Sequence, residues 1–255
     1  MRSLIAPVAR LGTKWLNRMG ITVIPTWKLP NRGLALHLSE LFTLYSVDCV
    51  IDVGAHQGQD ARFLRDEAGF TGTILSFEPV AGLAAKCQAL AAADPKWHVF
   101  PFAAGDQDTE SEINVMAVSQ FSSFLAPTAD STKMFSDLNK VDHTETVHVR
   151  RLDGLLPDLR REHGFVRPYL KIDTQGFDLA VIRGAGTMLE TIVALQTELS
   201  FLPIYKDAPS WKDVMALLTG NGFSVSNMFT MNLEGNMRAV ELDCVFLNDR
   251  FATAR

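Results

Sequence analysis

In VIDVGAHQGQD (residues 50–60) an acid, Asp52, closes an apolar run, and Gly54 and Gly58 punctuate the turn behind it. A second acid, Glu78, closes the run TILSF and is followed by Pro79. Both runs read as buried strands, and an open α/β sheet takes its ligands beyond the carboxyl ends of such strands. A glycine turn there commonly cradles phosphate on backbone N–H groups at a helix N-terminus. This turn is spaced G-x-x-x-G rather than G-x-G-x-x-G, and Asp52 would repel a pyrophosphate beside it. The acid suits a cationic ligand. Glu78 follows the turn at the offset of an acid that holds ribose hydroxyls, which fits any adenosine cofactor.

S-adenosylmethionine satisfies both acids, because it carries a sulfonium, an ammonium and a ribose but no phosphate. An Asp that merely caps an ordinary turn is the bland alternative, and it leaves the pairing of Asp52 with Glu78 unexplained. Moving a methyl group from a sulfonium to a hydroxyl requires nucleophile, carbon and sulfur in line, and a base for the hydroxyl proton. Asp173, which ends PYLKID (168–173), is the first candidate for that base. Lys171 lies on the same strand face. It either assists Asp173 or forms with it a structural pair that orients the loop TQGFD. Glu198 ends TIVALQTEL (191–199). It either binds an acceptor hydroxyl, joins Asp173 around a cation, or caps the loop that follows. His56 most simply hydrogen-bonds turn backbone. His143 is a base only if its segment closes over the site, and His148 alternates within a strand and faces solvent. Ser122 and Ser123 either donate to a ligand or start a turn. The acids and histidines lack metal-ligand spacing such as H-E-x-x-H, and no metal is predicted.

The elements that must position these residues alternate. Strands are predicted at DCVIDV (48–53), TILSF (73–77), WHVFPFA (97–103), PYLKID and TIVALQTEL. Helices are predicted over Gln59 to Glu67, Ala81 to Ala92, DLAVIRGAG, and SWKDVMALLTGNGF, the last stopped by Gly220 and Gly222. Such alternation predicts a mostly parallel sheet covered on both faces. FSVSNMF and ELDCVFLN are separated only by a loop over 230–240, too short for a helical crossover, so they pair as an antiparallel hairpin. In 111–152 the rhythm changes. SEINVMAV and ETVHVRRL alternate apolar and polar residues, and a long loop-like stretch joins them. This interval reads as an inserted β-hairpin with a flap.

The 255 residues are 47% apolar, enough for one sizeable α/β domain. A helical extension is expected over 1–47 and the main domain over 48–250, with the insertion at 111–152. The net charge of −5 argues against a nucleic-acid partner. Cys49, Cys87 and Cys244 have no metal spacing and read as reduced thiols of a cytoplasmic protein. MRSLIAPVARLGTKWLNRMG carries Arg2, Arg10, Lys14 and Arg18 with no acid, and its apolar residues recur at helical spacing. It is expected to pack on the domain; the alternative is peripheral contact with an anionic membrane at its inner face.

The motifs together resemble the FkbM-type methyltransferase family. The likeness spans about residues 48–205 and runs in order through VIDVGAHQGQ, ILSFEPV, AAGDQD, the SSF of the insertion, RLDGLLPD, LKIDTQGFD, VIRGAG and QTELSFLPIY. The resemblance implies a class I methyltransferase: a Rossmann-like sheet of seven strands with an antiparallel terminal hairpin, using S-adenosylmethionine. It also implies O-methylation of a sugar, glycan or natural-product hydroxyl. Asp52, Gly54 and Gly58 would hold the methionine portion, Glu78 the ribose, and Asp106 or its neighbours the adenine edge, with His56 and Pro79 in the same two turns. His56 departs from the Asn often found there, and Gln175 from the Glu that many members carry. Two other readings of the residues stay open: a nicotinamide-dependent oxidoreductase, and a non-catalytic cofactor-binding protein.

Overall fold

The computed structural model describes residues 19, 24–128, 140–202, 204–233 and 235–252. Apart from Met19, the basic N-terminal stretch lies outside them, as does the middle of the expected flap.

Five strands run parallel: β1 (Cys49–Val53), β2 (Thr73–Phe77), β3 (Trp97–Phe100), and, numbered in chain order with those below, β7 (Pro168–Ile172) and β8 (Ala194–Ser200). β9 (Phe223–Leu233) and β10 (Ala239–Asn248) complete a seven-stranded sheet in the order β3-β2-β1-β7-β8-β10-β9. β1 runs parallel to β2 and to β7, and β7 is parallel to β8. β10 is antiparallel to both β8 and β9, as the terminal hairpin requires. The order switches between β1 and β7, so the chain leaves these two strands in opposite directions and opens a crevice at their carboxyl ends.

β1 is buried on both faces, with Cys49, Ile51 and Val53 turned one way and Val50 and Asp52 the other. The first face is covered by α4 (Leu152–His163), α5 (Asp178–Ala185) and α6 (Trp211–Gly220). The second is covered by α1 (Leu29–Tyr45), α2 (Gln59–Asp66) and α3 (Ala81–Ala91). α1 buries Leu34, Ala35, Leu38, Leu41 and Phe42 against Val50, Tyr169 and Val245. Each full burial of such a large side chain contributes about 1.5–3 kcal/mol. Phe42 meets Tyr169 edge-on at 5.1 Å. The cysteines are buried free thiols. Among the described residues no helix is long and apolar enough to cross a membrane.

A small second sheet is formed by β4 (Ala103–Ala104), β5 (Thr109–Met116) and β6 (Val141–Arg150), in the order β4-β6-β5. β5 and β6 are the predicted inserted hairpin, paired antiparallel with Ile113 opposite Glu145. Ile113, Val115 and Val147 pack on Val80 and Leu83, while their alternate neighbours stay exposed or half-exposed.

Three boundaries differ from expectation. The strand over 97–103 breaks at Pro101, which has no N–H for the ladder, and Ala103–Ala104 pair instead with Val149 and Arg150. The strand expected through Leu152 ends at Arg150, and RLDGLLPD opens α4. Gly154 and Pro157 disguise that helix, but Leu152, Leu156 and Leu159 fall on one buried face. The loop expected over 230–240 is shorter, because the hairpin ladder continues to Leu233 and resumes at Ala239. Asn232 Nδ2 donates to Glu241 Oε2 there at 3.2 Å.

Candidate active site

A cavity of about 320 Å³ opens beyond the carboxyl ends of β1, β2, β7 and β8. One end is lined by Gly54, His56, Phe77, Glu78, Pro79 and Val80, with Leu83, Ala104 and Phe124 beyond them. The other end is lined by Phe121, Asp173, Gln175, Glu198 and Glu241, and Ser119 lies beside His56.

The glycine turn sits in this wall with its donors already used. The Gly54 and Ala55 N–H groups both donate to the Phe77 carbonyl, at 3.0 and 3.1 Å. The His56 N–H donates to Glu78 Oε2 at 2.8 Å, the Gln57 N–H to Gln59 Oε1 at 3.0 Å, and the Gly58 N–H to the Ala55 carbonyl at 2.8 Å. Five consecutive N–H groups are committed inside the protein. Gly54 has φ +83°, and a Cβ there would lie 1.8 Å from the Asp173 carbonyl oxygen. Its lack of a side chain is what lets the turn lie against the end of β7.

Three expected cofactor residues stand elsewhere. Asp52 is fully buried and does not line the cavity. Its Oδ2 accepts from Ser76 Oγ at 2.8 Å, and its Oδ1 is 3.6 Å from Lys171 Nζ. The strand alternation turns this side chain toward α2 and α3 rather than out of the sheet end. Gly58 does not line the cavity either; it starts α2 with φ +88°, and a Cβ would meet the Trp97 ring at 2.7 Å. Asp106 lies behind the wall. Its carbonyl accepts from Arg151 Nη1 and its backbone packs under Gly184. The cavity wall near that strand is made instead by Ala103 and Ala104.

Gly54, His56, Glu78 and Pro79 do line it. Glu78 accepts from His56 N–H through Oε2 and from Val80 N–H through Oε1 at 2.9 Å. Burial nevertheless dominates and pushes its carboxyl up to about 7. His56 adopts φ +50°, and its Nε2 is 2.8 Å from Ser119 Oγ. Burial lowers its pKa, which favours the neutral ring.

At the other end Lys171, Asp173 and Glu198 come together. Lys171 Nζ is 2.6 Å from Asp60 Oδ2, 3.5 Å from Asp173 Oδ2 and 3.6 Å from Asp52 Oδ1. The ammonium itself faces a smaller neighbouring cavity of about 180 Å³, which shares Asp60, Asp173 and Glu198 with the first. Asp173 is a third exposed and reaches both spaces. Gln175 Nε2 donates to Asp173 Oδ1 at 2.9 Å and to Glu198 Oε2 at 3.1 Å. Desolvation, then the neighbouring Asp173 and Glu241, hold the Glu198 carboxyl well above the usual carboxylate range. Desolvation also raises Glu241, and pushes Asp243 up to about 7.

The family described as the FkbM methyltransferase domain matches residues 52–225, from the acid of the glycine turn to β9. The chain belongs to the FkbM methyltransferase family. The FkbM domain is similar to the methyltransferase FkbM from Methylobacillus flagellatus KT at 13% identity and TM-score 0.46, covering 82% of this chain and 47% of that one. This chain thus spans less than half the length of that protein. It is also similar to an rRNA methylase from Streptococcus thermophilus, at 10% identity and TM-score 0.44 over 86% and 96% of the two chains. A third likeness is to Aeropyrum pernix fibrillarin in complex with natively bound S-adenosyl-L-methionine, at 10% identity and TM-score 0.42 over 84% and 73%. No curated protein matches by sequence.

Other residues of the FkbM domain fall into place around this site. Ser123 Oγ donates to the Gln175 carbonyl at 2.7 Å, and Ser122 Oγ accepts from Met116 N–H, so both serines are used in holding the insertion. His143 lies on exposed β6 between Asp142 and Glu145 and does not line the cavity; His148 is exposed beside Glu110. Among the described residues no group of three or more His, Cys, Asp or Glu is arranged to hold a metal ion. Sequence reasoning missed Asp60, Tyr205 and Glu241. Glu241 and Asp243 alternate with apolar residues inside ELDCVFLN, and paired acids in a buried strand are a readable sign of a polar site.

Proposed function

We propose that this FkbM domain moves a methyl group from S-adenosylmethionine to a hydroxyl on a sugar, glycan or natural-product acceptor. The observation that supports it is the spent donor set of the glycine turn: with the N–H groups of residues 54–58 all bonded internally, no phosphate cradle is left. A nicotinamide dinucleotide would have to break those bonds, whereas a phosphate-free adenosyl cofactor leaves them intact. Glu78 would hold the ribose, Phe77, Val80, Leu83 and Ala104 would form an apolar slot for the adenine, and the methionine end would lie along Gly54 and His56. The sulfonium supplies an activated methyl group. Carboxylates around the slot favour a cation.

Asp173, at the junction of the two cavities, takes the proton of the acceptor hydroxyl. A positioned base contributes about 10²–10⁴-fold to rate. Glu198 stands beside it as a carboxyl that hydrogen-bonds the acceptor. Asp52 acts at one remove, through Lys171. Differential scanning fluorimetry of the full chain with S-adenosylmethionine or S-adenosylhomocysteine tests the cofactor, since binding at 100 times Kd stabilises by about 2.7 kcal/mol. A folded protein whose melting temperature does not move at millimolar cofactor sinks the reading. Transfer of a labelled methyl group across a panel of sugars and glycans then tests the acceptor class. Asp173→Asn should keep the melting shift and lose transfer.

A further inference from the structure

We propose that Gln175 is the positioning residue of this site: its carboxamide fixes Asp173 and Glu198 in one mutual orientation, with Asp173 turned to receive a proton. The role of Asp173 in methyl transfer rests on the function proposed above, but the positioning does not.

Gln175 is itself held at three points. Its backbone has φ +52°, a left-handed conformation that costs a non-glycine residue energy and persists only where the surroundings impose it. Its carbonyl accepts from Ser123 Oγ at 2.7 Å. Its Oε1 accepts from the buried Tyr205 hydroxyl at 2.8 Å. The two acids and the Tyr205 hydroxyl together decide which way the carboxamide points. Nε2 faces the two acids, its hydrogens serving Asp173 and Glu198 separately, while Oε1 faces the Tyr205 hydroxyl, whose single proton is shared between Oε1 and the Phe121 carbonyl. Tyr205 is in turn fixed by the insertion: its hydroxyl is 2.9 Å from the Phe121 carbonyl, and its backbone bridges to Pro127. A left-handed residue anchored by two segments and donating to two acids is an orienting device.

A neutral donor keeps one more acid out of this place. Asp173 faces Lys171 on its own strand, Asp52 on β1, Asp60 and His56 about the glycine turn, and Asp178 at the start of α5. Glu198 on β8 and Glu241 and Asp243 on β10 face it from the opposite side. Carboxylates outnumber the cation, and a carboxylate at 175 could neither donate to its neighbours nor avoid repelling them.

Infrared difference spectroscopy of the carboxyl bands during pH titration of the full chain tests this without an acceptor. Asp173→Asn and Glu198→Gln assign the two bands. Gln175→Glu, which replaces the shared donor with a further acid, should shift both band frequencies. Gln175→Gly, which accepts the left-handed backbone, should shift both band frequencies by removing the shared donor while the chain stays folded. Tyr205→Phe should broaden both bands, because the carboxamide can then turn over. Unchanged band frequencies in Gln175→Glu and Gln175→Gly overturn the proposal. Melting shifts with S-adenosylhomocysteine on the same samples separate the two failures: moved bands without cofactor binding leave the positioning standing and remove the methyl-transfer reading.

Discussion

The Lys171 ammonium lies 2.6 Å from the Asp60 carboxylate, and this contact ties the strand that carries Asp173 to the helix behind the glycine turn. It puts one buried cation at the centre of three acids, since Asp52 and Asp173 lie 3.6 and 3.5 Å from the same nitrogen. The acid that opens the glycine turn therefore faces Lys171 and not the cavity. The carboxyls that meet the cavity are Glu78, Asp60, Asp173, Glu198 and Glu241.

Replacing Lys171 with Met should cost about 3–5 kcal/mol, the usual result of leaving a buried charge without its partner. Burial pushes Asp52 up to about 6 even with Lys171 pulling the other way. Between its ordinary 3.8 and about 6 the folded protein holds a proton that the unfolded chain releases, so this group makes stability fall as pH rises through that window. Without Lys171 the fall should deepen and extend toward neutral pH. Urea unfolding at pH 5 and 8 measures both effects. Adding Asp52→Asn to Lys171→Met should recover part of the loss; strict additivity of the two changes would deny the coupling.

Glu78 carries a pH dependence of its own. Folding raises its carboxyl from 4.5 to about 7, so its contribution to stability declines as pH climbs across that interval and is flat above it. A ligand that hydrogen-bonds the ionised carboxylate should therefore bind more tightly at pH 8 than at pH 6, releasing a proton below pH 7. Calorimetric titration of S-adenosylhomocysteine in buffers of different ionisation enthalpy counts that proton. Glu78→Gln should abolish the release. It should also cost about 1–3 kcal/mol, because one amide N–H must then face either the His56 or the Val80 N–H. A release that survives in Glu78→Gln would assign the proton elsewhere.

Two glycine-to-alanine changes should part company. At Gly54 the new Cβ would sit 1.8 Å from the Asp173 carbonyl oxygen on a backbone at φ +83°, so neither turn nor strand can absorb it without moving. A loss of more than about 3 kcal/mol is expected. At Gly82, in α3, nothing lies within 4 Å, and alanine should stabilise by about 0.4–1 kcal/mol through the unfolded chain. Thermal unfolding of the two variants side by side decides it, and similar melting temperatures would mean that the close approach at Gly54 is absent in solution.

Much of this was legible in the residues. The alternation of apolar runs with helical stretches gave the parallel sheet, and the short interval before β10 gave the hairpin, because both patterns are local. Of the strand-end acids, Glu78, Asp173 and Glu198 line the crevice and Asp52 does not. What the apolar run DCVIDV did not show was which partners Asp52 meets on its face of the strand. Asp52 precedes the glycine turn by two positions, yet the strand alternation turns it toward α2 and α3, where Ser76 and Lys171 receive it. In the motif AAGDQD it is Ala103 and Ala104, not Asp106, that line the cavity. Tyr205 and Gln175 meet across 30 residues of sequence, through a contact that no spacing announces.

Ser123 is the remaining test of how the insertion holds the site. It is fully buried, its Oγ donates to the Gln175 carbonyl at 2.7 Å, and the same oxygen accepts from Leu125 N–H at 3.0 Å. Ser123→Ala removes both bonds and leaves a carbonyl and an N–H without partners, at a cost of about 1–3 kcal/mol to the docked segment. The ladder bond from Asn114 N–H to the Ser123 carbonyl is backbone and should survive. Hydrogen exchange at Leu125 should accordingly quicken by about 10- to 100-fold, while the Asp173 amide, bonded to the Val53 carbonyl in the sheet, should keep its protection. If both amides quicken together, the bond supports the whole fold. If neither does, Ser123 does not hold the insertion to Gln175.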